Sequence, residues 1–313
     1  MRAGGAVRTP IRIGFLLKAL DNPFFVAIYA GASSEAVRLN VRLTIRSVTS
    51  SNDLQGEAAQ LRALVARGAD CYVVNPSTAT NLVDALRGVR RPVVNVDSPI
   101  DPAAAKRAGV RIQAYIGTDD FVAGRLAGSR MATLLGGAGD VALIGGQAGS
   151  INGVRRLSGF DAGIEGSRLR VVARASADYD RTKAQIATEQ ILQAHPGISG
   201  FFAANDLMAL GIADAVSAAG KAGQIKVIGV DGSSAALDAI RAGSMAASVS
   251  QYPYIMGQMA VQACAAAAHG AILPAAVYAP IAVITNGNVA SAIAAFPSPL
   301  QRYSDPFPRL LRP

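Results

Sequence analysis

Short apolar runs alternate with segments of helical periodicity along most of the chain. The first run, residues 11–17, has the continuous hydrophobicity of a strand buried on both faces of a parallel sheet. A helix is predicted over residues 23–39, because Pro23 suits the first position of a helix. A strand over residues 42–48 follows. This order predicts an α/β fold in which helices flank parallel sheets.

The alternation runs through two series. In the first, further strands are predicted at residues 71–75, 92–97 and 114–117, with a helix that starts near Leu54 and stops at Gly68 and another over residues 81–86. In the second, strands are predicted at residues 140–144, 170–173, 200–204 and 225–230, with helices over residues 154–164, 182–194 and 207–219. Because the pattern repeats, we expect two similar lobes with a ligand cleft between the carboxyl ends of their sheets.

Length and composition agree with a two-domain globular protein. A chain of 313 residues is long for one hydrophobic core. Half of the residues are apolar, but no run approaches the ~20 residues that span a bilayer. The net charge is +9, yet the basic residues are scattered and form no dense run. This favours a solvated basic surface, and we expect no nucleic-acid partner.

The sequence contains few of the residues that form metal centres or catalytic sites. It has two cysteines, Cys71 and Cys264, in apolar surroundings, and both are expected to be buried thiols. It has two histidines, and neither lies in a HExxH or GxSxG pattern. No nucleophile–base pair is recognised. We therefore expect no metal, no cofactor and no enzymatic activity.

A dinucleotide-binding enzyme is one alternative. GAGDVA, at residues 137–142, matches the pattern G-x-G-x-x-A. A phosphate-binding loop must follow a strand and open a helix, so that its amides face the phosphates. This segment instead precedes the apolar run VALIGG, and a turn is expected.

Candidate binding residues follow the first strand. Lys18 and Asn22 lie on a polar loop, and Phe24 and Phe25 lie in the first turn of the next helix. Open α/β sheets bind ligands at this end of their strands. Adjacent residues on a helix point in different directions, so one core face does not explain both phenylalanines.

Polar residues also directly follow five other apolar runs: Asn75, Asp97, Asn205, Asp231 and Gln251. Each has a simpler structural explanation, such as a helix N-cap at Asn205 and a turn at Asp231. Together, however, they are predicted to lie at the same edges of their sheets. Carboxylates and amides in that position suit a polyhydroxylated ligand.

The motifs that carry these residues resemble those of periplasmic sugar-binding proteins of the ribose-binding type, the extracytoplasmic components of ABC importers. The resemblance covers residues 11–284, and its motifs are DNPFF, VVNP, VVNVD, RRLSGF, ADYDR, FFAANDLMALG, VIGVDG and SQYP. It implies a periplasmic or extracytoplasmic location, a monosaccharide or polyol ligand, and the membrane subunits of an ABC importer as partners. We expect a monomer.

The resemblance also implies which residues bind the ligand: Lys18, Asn22, Phe24, Phe25, Asn75, Asp97, Arg156, Tyr179, Asn205, Asp231 and Gln251. The three aromatic rings would pack on the C–H faces of the sugar. The charged groups would make charge-assisted hydrogen bonds to its hydroxyls, and the amides would complete the set. Arg155, beside Arg156, is expected to be a surface charge.

One position departs from the family pattern. Ribose-binding relatives carry an arginine after VVNVD, where this chain has Ser98. The exchange removes hydrogen-bond donors and opens space. Lys18 matches a lysine of some hexose-binding relatives, such as the allose-binding protein, and would replace the missing cation. A hexose or a polyol is therefore at least as suitable a ligand as ribose.

The resemblance implies discontinuous lobes. Residues 1–118 and 252–281 would form the N-terminal lobe, residues 119–251 and 282–295 the C-terminal lobe, and residues 296–313 a proline-rich tail. Three crossings, near residues 118–119, 251–252 and 281–282, would form a hinge that closes on the ligand.

The N-terminus leaves two alternatives open. MRAGGAVRTP lacks the apolar core of roughly 7–15 residues found in secretion signals, so the protein is either cytoplasmic or a signal has been removed. The ligand-binding core of lactose-repressor-type regulators shares the expected architecture. Those regulators carry a helix-turn-helix before the first strand, so a chain of this kind would lack its DNA-binding domain.

Overall fold

The computed structural model describes residues 9–311, which fold into two compact units. The strands are β1 (Arg12–Leu16), β2 (Arg42–Arg46), β3 (Cys71–Val74), β4 (Val93–Val96), β5 (Ala114–Gly117), β6 (Ala138–Gly145), β7 (Arg168–Ser176), β8 (Gly200–Ala203), β9 (Lys226–Asp231), β10 (Ala247–Ser250), β11 (Ala276–Tyr278) and β12 (Ala282–Thr285). The helices are α1 (Pro23–Arg38), α2 (Leu54–Arg67), α3 (Pro102–Arg107), α4 (Asp120–Leu134), α5 (Ile151–Ile164), α6 (Arg181–Ala194), α7 (Asp206–Ala218), α8 (Ser234–Ala242), α9 (Pro253–Ala268), α10 (Val289–Ala295) and α11 (Phe307–Leu310).

Both units are assembled from separate stretches of chain. Unit 1 contains the residues up to Gly117, Tyr254–Val277 and the residues from Ser304 onward, and unit 2 contains Thr118–Pro253 and Tyr278–Tyr303. The chain changes unit after Gly117, Pro253, Val277 and Tyr303.

Unit 1 is built on a six-stranded sheet in the order β11-β5-β4-β3-β1-β2. Strands β1 to β5 pair in parallel with their neighbours. Leu16 of β1 pairs with Val74 of β3, and Val74 pairs with Asn95 of β4. The residues that follow these three strands therefore leave the sheet at one edge. The direction of chain progression reverses between β1 and β3, which is where open α/β sheets bind ligands.

Unit 2 repeats this arrangement in the order β12-β10-β9-β8-β6-β7. Its strands pair in parallel, except that β12 runs antiparallel to β10. Ile144 of β6 pairs with Ala203 of β8, so the reversal lies between these two strands. The two sheets with flanking helices confirm the predicted α/β fold of two similar lobes.

Local signals place several helix ends as the sequence predicts. Asn22 caps α1 by accepting a hydrogen bond from the backbone N–H of Phe24, and Pro23 opens the helix. Asn205 caps α7 in the same way, with its acceptor at 3.0 Å from the N–H of Met208. Gly68 ends α2 with φ 71°, a conformation that suits glycine.

The predicted helix over residues 81–86 is wrong, since only Asp84–Leu86 forms a single 3₁₀ turn. The side chain of Asn81 explains the difference. It accepts a hydrogen bond from the backbone N–H of Thr78 at 3.0 Å and donates to Glu57 at 2.8 Å. These bonds hold the segment as a turn.

Helix α4, a full helix in unit 2, was not predicted from the sequence. Glycine lowers helix propensity, and α4 contains Gly124 and Gly128. Both are needed for the close approach of α5, because a Cβ on Gly124 would lie 2.0 Å from the carbonyl oxygen of Arg156 and one on Gly128 would lie 2.4 Å from that of Phe160. Tertiary packing overrides the local propensity here.

The GAGDVA segment is a strand and not the expected turn. Its residues from Ala138 onward belong to β6 and pair with β7. The segment opens no helix, so it lacks the context of a phosphate-binding loop.

The expectation of two free thiols is wrong. Cys71 of β3 and Cys264 of α9 form a disulfide, with their Cα atoms 5.6 Å apart and both residues fully buried. These cysteines are 193 positions apart in the sequence, and nothing local to either one signals the pairing. The bond fixes α9 to the central part of the unit 1 sheet.

The same helix packs closely on α1. A Cβ added to Gly31 would lie 1.9 Å from the carbonyl oxygen of Tyr254, and one added to Gly257 would lie 2.2 Å from that of Ile28. The two glycines let the backbones of α1 and α9 meet directly. Helix α1 carries the two phenylalanines of the candidate site, so this contact fixes their position within unit 1.

The proline-rich C-terminal residues are divided between the units. Residues 296–303 belong to unit 2, and those from Ser304 onward belong to unit 1. Phe307 is fully buried. Burial raises the pKa of Asp305, and the nearby carboxylate of Glu35 raises it further. The N-terminal residues 1–8 and residues 312–313 lie outside the described range.

Across residues 9–311, no helix combines the length and the apolar character needed to cross a bilayer.

We expect the disulfide to stabilise unit 1 by about 2–4 kcal/mol, because it restricts the unfolded chain between Cys71 and Cys264. Denaturant unfolding with and without a thiol reductant measures this. The double variant Cys71→Ala, Cys264→Ala is the control, since reductant has no bond to break in it. An unfolding midpoint of the unaltered protein that reductant leaves unchanged would contradict the prediction.

Candidate functional site

The first set of candidate residues lies at the carboxyl edge of the unit 1 sheet. Phe24 and Phe25 lie in the first turn of α1, and their rings meet edge to face, with centroids 5.5 Å apart and an interplanar angle of 87°. Both side chains are buried. The ammonium of Lys18 lies 5.2 Å from the centroid of the Phe25 ring, within range of a cation–π interaction. The loop after β1 and the start of α1 therefore place one cation and two aromatic rings together.

Lys18 also reaches the end of β4. Its ammonium donates to the hydroxyl oxygen of Ser98 at 2.5 Å and lies 3.5 Å from the carboxylate of Asp97. The hydroxyl of Ser98 donates to the same carboxylate at 3.1 Å. Ser98 occupies the position where the family pattern has an arginine. The ammonium of Lys18 lies beside both Ser98 and Asp97 and supplies a cation there.

Asn75 joins this cluster from β3. Its Nδ2 donates to the carboxylate of Asp97 and to the carbonyl of Val96, both at 2.9 Å. Its Oδ1 is fully buried and has no hydrogen-bond partner within residues 9–311. A buried acceptor left unpaired costs roughly 1–3 kcal/mol. A ligand hydroxyl beside Asn75 would remove that cost.

The second set lies at the carboxyl edge of the unit 2 sheet and is centred on Arg156 of α5. Its guanidinium donates to the carboxylate of Asp120 and the carbonyl of Ala204, both at 2.7 Å, and to the amide oxygen of Gln251 at 3.1 Å. Gln251 in turn donates to Asp231 at 2.7 Å, and that carboxylate lies 3.8 Å from the guanidinium. The arginine therefore connects four segments of unit 2.

Burial by itself lowers the pKa of Arg156, but the carboxylates of Asp120 and Asp231 raise it and the net shift is upward. Arg156 as a whole is 4% exposed. It remains charged because its two acidic partners are buried with it.

Tyr179 and Asn205 complete the second set. The Tyr179 ring lies over Gly146, where an added Cβ would be 2.1 Å from the ring, and its hydroxyl is 2.6 Å from that of Ser150. The Oδ1 of Asn205 is used as the cap of α7, as its simpler explanation predicts. Its Nδ2 is buried and finds no acceptor in the part of the chain that the structure describes.

Three of the candidate residues have unusual backbone conformations. Asp97 has φ 62°, Tyr179 has φ 61° and Asp231 has φ 132°. Non-glycine residues in this region cost about 1–3 kcal/mol each, and they persist where the surrounding structure holds them. Such residues concentrate at binding sites, and three of them fall on the candidate positions.

The predicted residues thus fall into two sets, one in each unit. Unit 1 holds Lys18, Asn22, Phe24, Phe25, Asn75 and Asp97, and unit 2 holds Arg156, Tyr179, Asn205, Asp231 and Gln251. Asn22 is the least clearly assigned, because its acceptor oxygen caps α1. Arg155 is a surface charge as predicted, with half of its side chain exposed and an ion pair to Asp119 at 3.3 Å.

Several hydrogen-bond partners of the candidate residues were not predicted from the sequence. Asp120 pairs with Arg156, Ser150 contacts Tyr179, and the hydroxyl of Tyr115 donates to the carbonyl of Asp97 at 2.7 Å. Asp120 lies three residues after the end of β5. Its position shortly after a strand is a signal in the sequence that could have identified it. Nothing in the sequence singles out Ser150 or Tyr115.

Residues 9–311 contain no group of three or more His, Cys, Asp or Glu side chains arranged to hold a metal ion.

The chain is similar to known sugar-binding proteins over most of its length. Residues 13–272 match the periplasmic binding protein domain family. The ribose import binding protein of Bacillus subtilis is 33% identical over 277 residues, which cover 88% of this chain and 87% of that protein. The D-allose-binding periplasmic protein of Escherichia coli is 35% identical over 247 residues, covering 77% and 79%.

Solved structures give the same result. A periplasmic solute-binding protein of an ABC transporter from Actinobacillus succinogenes, with bound D-allose, superposes with a TM-score of 0.87 at 28% identity over 90% of this chain and 100% of that one. A solute-binding protein from Bacillus halodurans, with bound myo-inositol, has a TM-score of 0.83 at 26% identity over 91% and 97%.

Removing Arg156 is expected to destabilise the protein strongly, because Asp120 and Asp231 would remain buried without their cation. We expect Arg156→Ala to lower the free energy of unfolding by about 3–5 kcal/mol. The neighbouring Arg155→Ala, which loses an exposed pair with Asp119, should cost at most about 1 kcal/mol. Denaturant unfolding of both variants provides the measurement, and equal losses would contradict the buried pairing.

The free energy of unfolding is expected to depend on pH through Asp206, the residue after Asn205. Burial raises the pKa of its carboxyl to about 6, partly offset by hydrogen bonds from Ser248 at 2.7 Å and from the backbone N–H of Ser233 at 2.8 Å. The folded state therefore keeps this proton up to about pH 6, whereas the unfolded state releases it near pH 3.8. The stabilisation is complete below pH 3.8 and is lost as the pH rises through 6.

We expect this residue to contribute a loss of about 3 kcal/mol in unfolding free energy between about pH 3 and pH 7, at about 1.4 kcal/mol for each pKa unit. Unfolding at a series of pH values measures the loss, and Asp206→Asn is the reference because it cannot titrate. Parallel pH profiles for the two proteins would show that the shift is absent.

Proposed function

This chain belongs to the periplasmic binding protein family, and we propose that it binds a monosaccharide or polyol and delivers it to an ABC importer. One observation carries the proposal. Each unit has a buried asparagine with one unpaired amide atom within the described residues, an acceptor at Asn75 and a donor at Asn205. Sugar hydroxyls donate and accept, so one class of ligand satisfies both atoms.

The charges of the two sets favour a neutral ligand. In unit 1 the ammonium of Lys18 lies beside the carboxylate of Asp97. In unit 2 the guanidinium of Arg156 lies between the carboxylates of Asp120 and Asp231. Each cation already has an anionic partner, so neither set requires a charged ligand. Charged groups that are fixed in this way make strong hydrogen bonds to hydroxyls.

Aromatic rings supply the apolar part of the recognition. Phe24 and Phe25 in unit 1 and Tyr179 in unit 2 would cover the C–H faces of the sugar ring. The contact of Lys18 with Ser98 and Asp97 puts a cation beside the position where ribose-binding relatives carry an arginine, so a hexose or a polyol is at least as suitable a ligand as ribose. The names of the relatives include ribose and D-allose binders, and a structural neighbour holds myo-inositol.

The proposal places the protein outside the cytoplasm. Its buried disulfide supports this, because disulfides persist mainly in oxidising compartments. Its partners would be the membrane subunits of an ABC importer, it would act as a monomer without enzymatic activity, and its units would close on the ligand. One relative is named a ribose import binding protein and another a D-allose-binding periplasmic protein, which supports this function over a transcription regulator.

A thermal-shift screen with D-allose, D-ribose and myo-inositol tests the proposal. A ligand at about 100 times its Kd should stabilise the protein by about 2.7 kcal/mol and raise its Tm.

Asp97→Asn should abolish the shift, whereas Asp84→Asn, an exposed acid of the same unit, should retain it. Lys18→Met should change the order of preference among the sugars, and Lys106→Met on the surface should not.

Failure of every pentose, hexose and polyol to shift the Tm would overturn the proposal. Scattering on the saturated samples tests closure, since the radius of gyration should fall when the right sugar is bound.

A further inference from the structure

A buried carboxylate lies behind each set of candidate residues. Asp206 is on α7 in unit 2 and Glu57 is on α2 in unit 1, and both residues are fully buried. Neither was predicted to contact a ligand. Burying a carboxylate costs free energy, so the hydrogen bonds of these two residues indicate their role.

In unit 2, Asp206 controls the loop that follows β9. One carboxylate oxygen accepts the backbone N–H of Ser233 at 2.8 Å, and the other accepts the hydroxyl of Ser248 at 2.7 Å. The Ser248 oxygen in turn accepts the backbone N–H of Gly232 at 3.1 Å. The two N–H groups that follow Asp231 are therefore held by one carboxylate, directly and through a single hydroxyl.

This loop has a backbone that needs support. Asp231 has φ 132° and Gly232 has φ 72°. The conformation directs the Asp231 carboxylate to Gln251, at 2.7 Å, and towards Arg156, at 3.8 Å. Without the bonds to Asp206, the backbone of Asp231 would relax towards more favourable angles and its carboxylate would turn away.

Unit 1 repeats the arrangement at the loop after β3. The carboxylate of Glu57 accepts the backbone N–H of Ser77 at 3.2 Å and 3.3 Å, and the amide of Asn81 donates to it at 2.8 Å. Ser77 is the second residue after Asn75, just as Ser233 is the second residue after Asp231. Each unit thus uses a buried helix carboxylate to hold the same backbone position of a candidate loop.

We propose that Asp206 and Glu57 are positioning residues, which fix Asp231 and Asn75 for ligand binding without touching the ligand. This inference rests on the proposed function, because it assigns the two carboxylates to the affinity of the same sugar. A shift in pKa agrees with the geometry, since burial raises the pKa of both carboxyls. The hydrogen bonds from the loops oppose that shift, as does the charge of Lys18 at Glu57.

The inference can be tested with a double-mutant cycle in unit 2. Asp206→Ala removes both carboxylate oxygens, so both bonds to the loop are lost. We expect it to weaken sugar binding roughly tenfold in the unaltered background and to have little effect when Asp231→Asn is already present. Calorimetry with the best sugar of the screen gives the Kd, and denaturant unfolding gives the stability. The stability loss should be the same in both backgrounds.

A second variant with a smaller structural change tests the same role in case the Asp206 variant folds poorly. Ser248→Ala removes only the hydroxyl that connects Asp206 to Gly232, and we expect a smaller loss of affinity that also depends on Asp231. Its control is Thr188→Val, which removes another fully buried hydroxyl of unit 2, one that bonds within α6. The control should lose stability and retain affinity.

Unit 1 provides an independent cycle with a matched control. Glu57→Gln should weaken binding in the unaltered background and have little effect with Asn75→Ala. Glu35→Gln makes the same exchange at a buried glutamate of the same unit that bonds to Arg38 and Gln262. It should change stability and leave the Kd unchanged.

The outcomes separate the two proposals. If sugars bind and the Asp206 and Glu57 variants lose only stability, or lose affinity equally in both backgrounds, the positioning role is overturned and the sugar-binding function stands. If the unaltered protein binds no sugar or polyol, the proposed function fails and the positioning role fails with it.

Discussion

The cost of burying charge at the carboxyl ends of parallel strands governs this structure. Arg156 is almost fully buried, and it is tolerated because Asp120 and Asp231 are buried beside it. Those partners come from different segments of unit 2, so satisfying one guanidinium fixes the relative positions of α4, α5 and the end of β9. The geometry of the candidate set in this unit follows from that requirement.

Unit 1 also pairs its buried cation with a carboxylate, but with different residues. Lys18 pairs with Asp97 and bonds to Ser98, and the Phe25 ring covers the ammonium. In both units a buried carboxylate behind the set holds the loop two residues beyond a candidate residue. The repeat therefore extends from the order of strands to the way in which the binding loops are supported. Its consequence is two sets of polar groups in which each buried cation already has an anionic partner, an arrangement that suits a neutral polyhydroxylated ligand.

Long-range packing completes unit 1. The disulfide between Cys71 and Cys264 and the glycine contacts between α1 and α9 attach a late helix to the first part of the chain. Helix α1 carries Phe24 and Phe25 in its first turn, so their positions depend on residues more than 200 positions later in the sequence, such as Gly257. A discontinuous unit makes such dependence unavoidable.

The sequence by itself determined the features that depend on neighbouring residues. Continuous apolar runs predicted β1, β3 and β8, and Pro23 and Gly68 predicted helix ends, because strand burial and helix capping are local effects. Their position directly after strands made Asp97 and Asp231 candidate binding residues. Tertiary structure alone decided the rest. Helix α4 forms despite its glycines because α5 packs against them, the cysteines pair across 193 positions, and Asp206 acquires its role only when Ser233 and Ser248 are brought to it. These outcomes depend on contacts between distant segments, and no local pattern encodes such contacts.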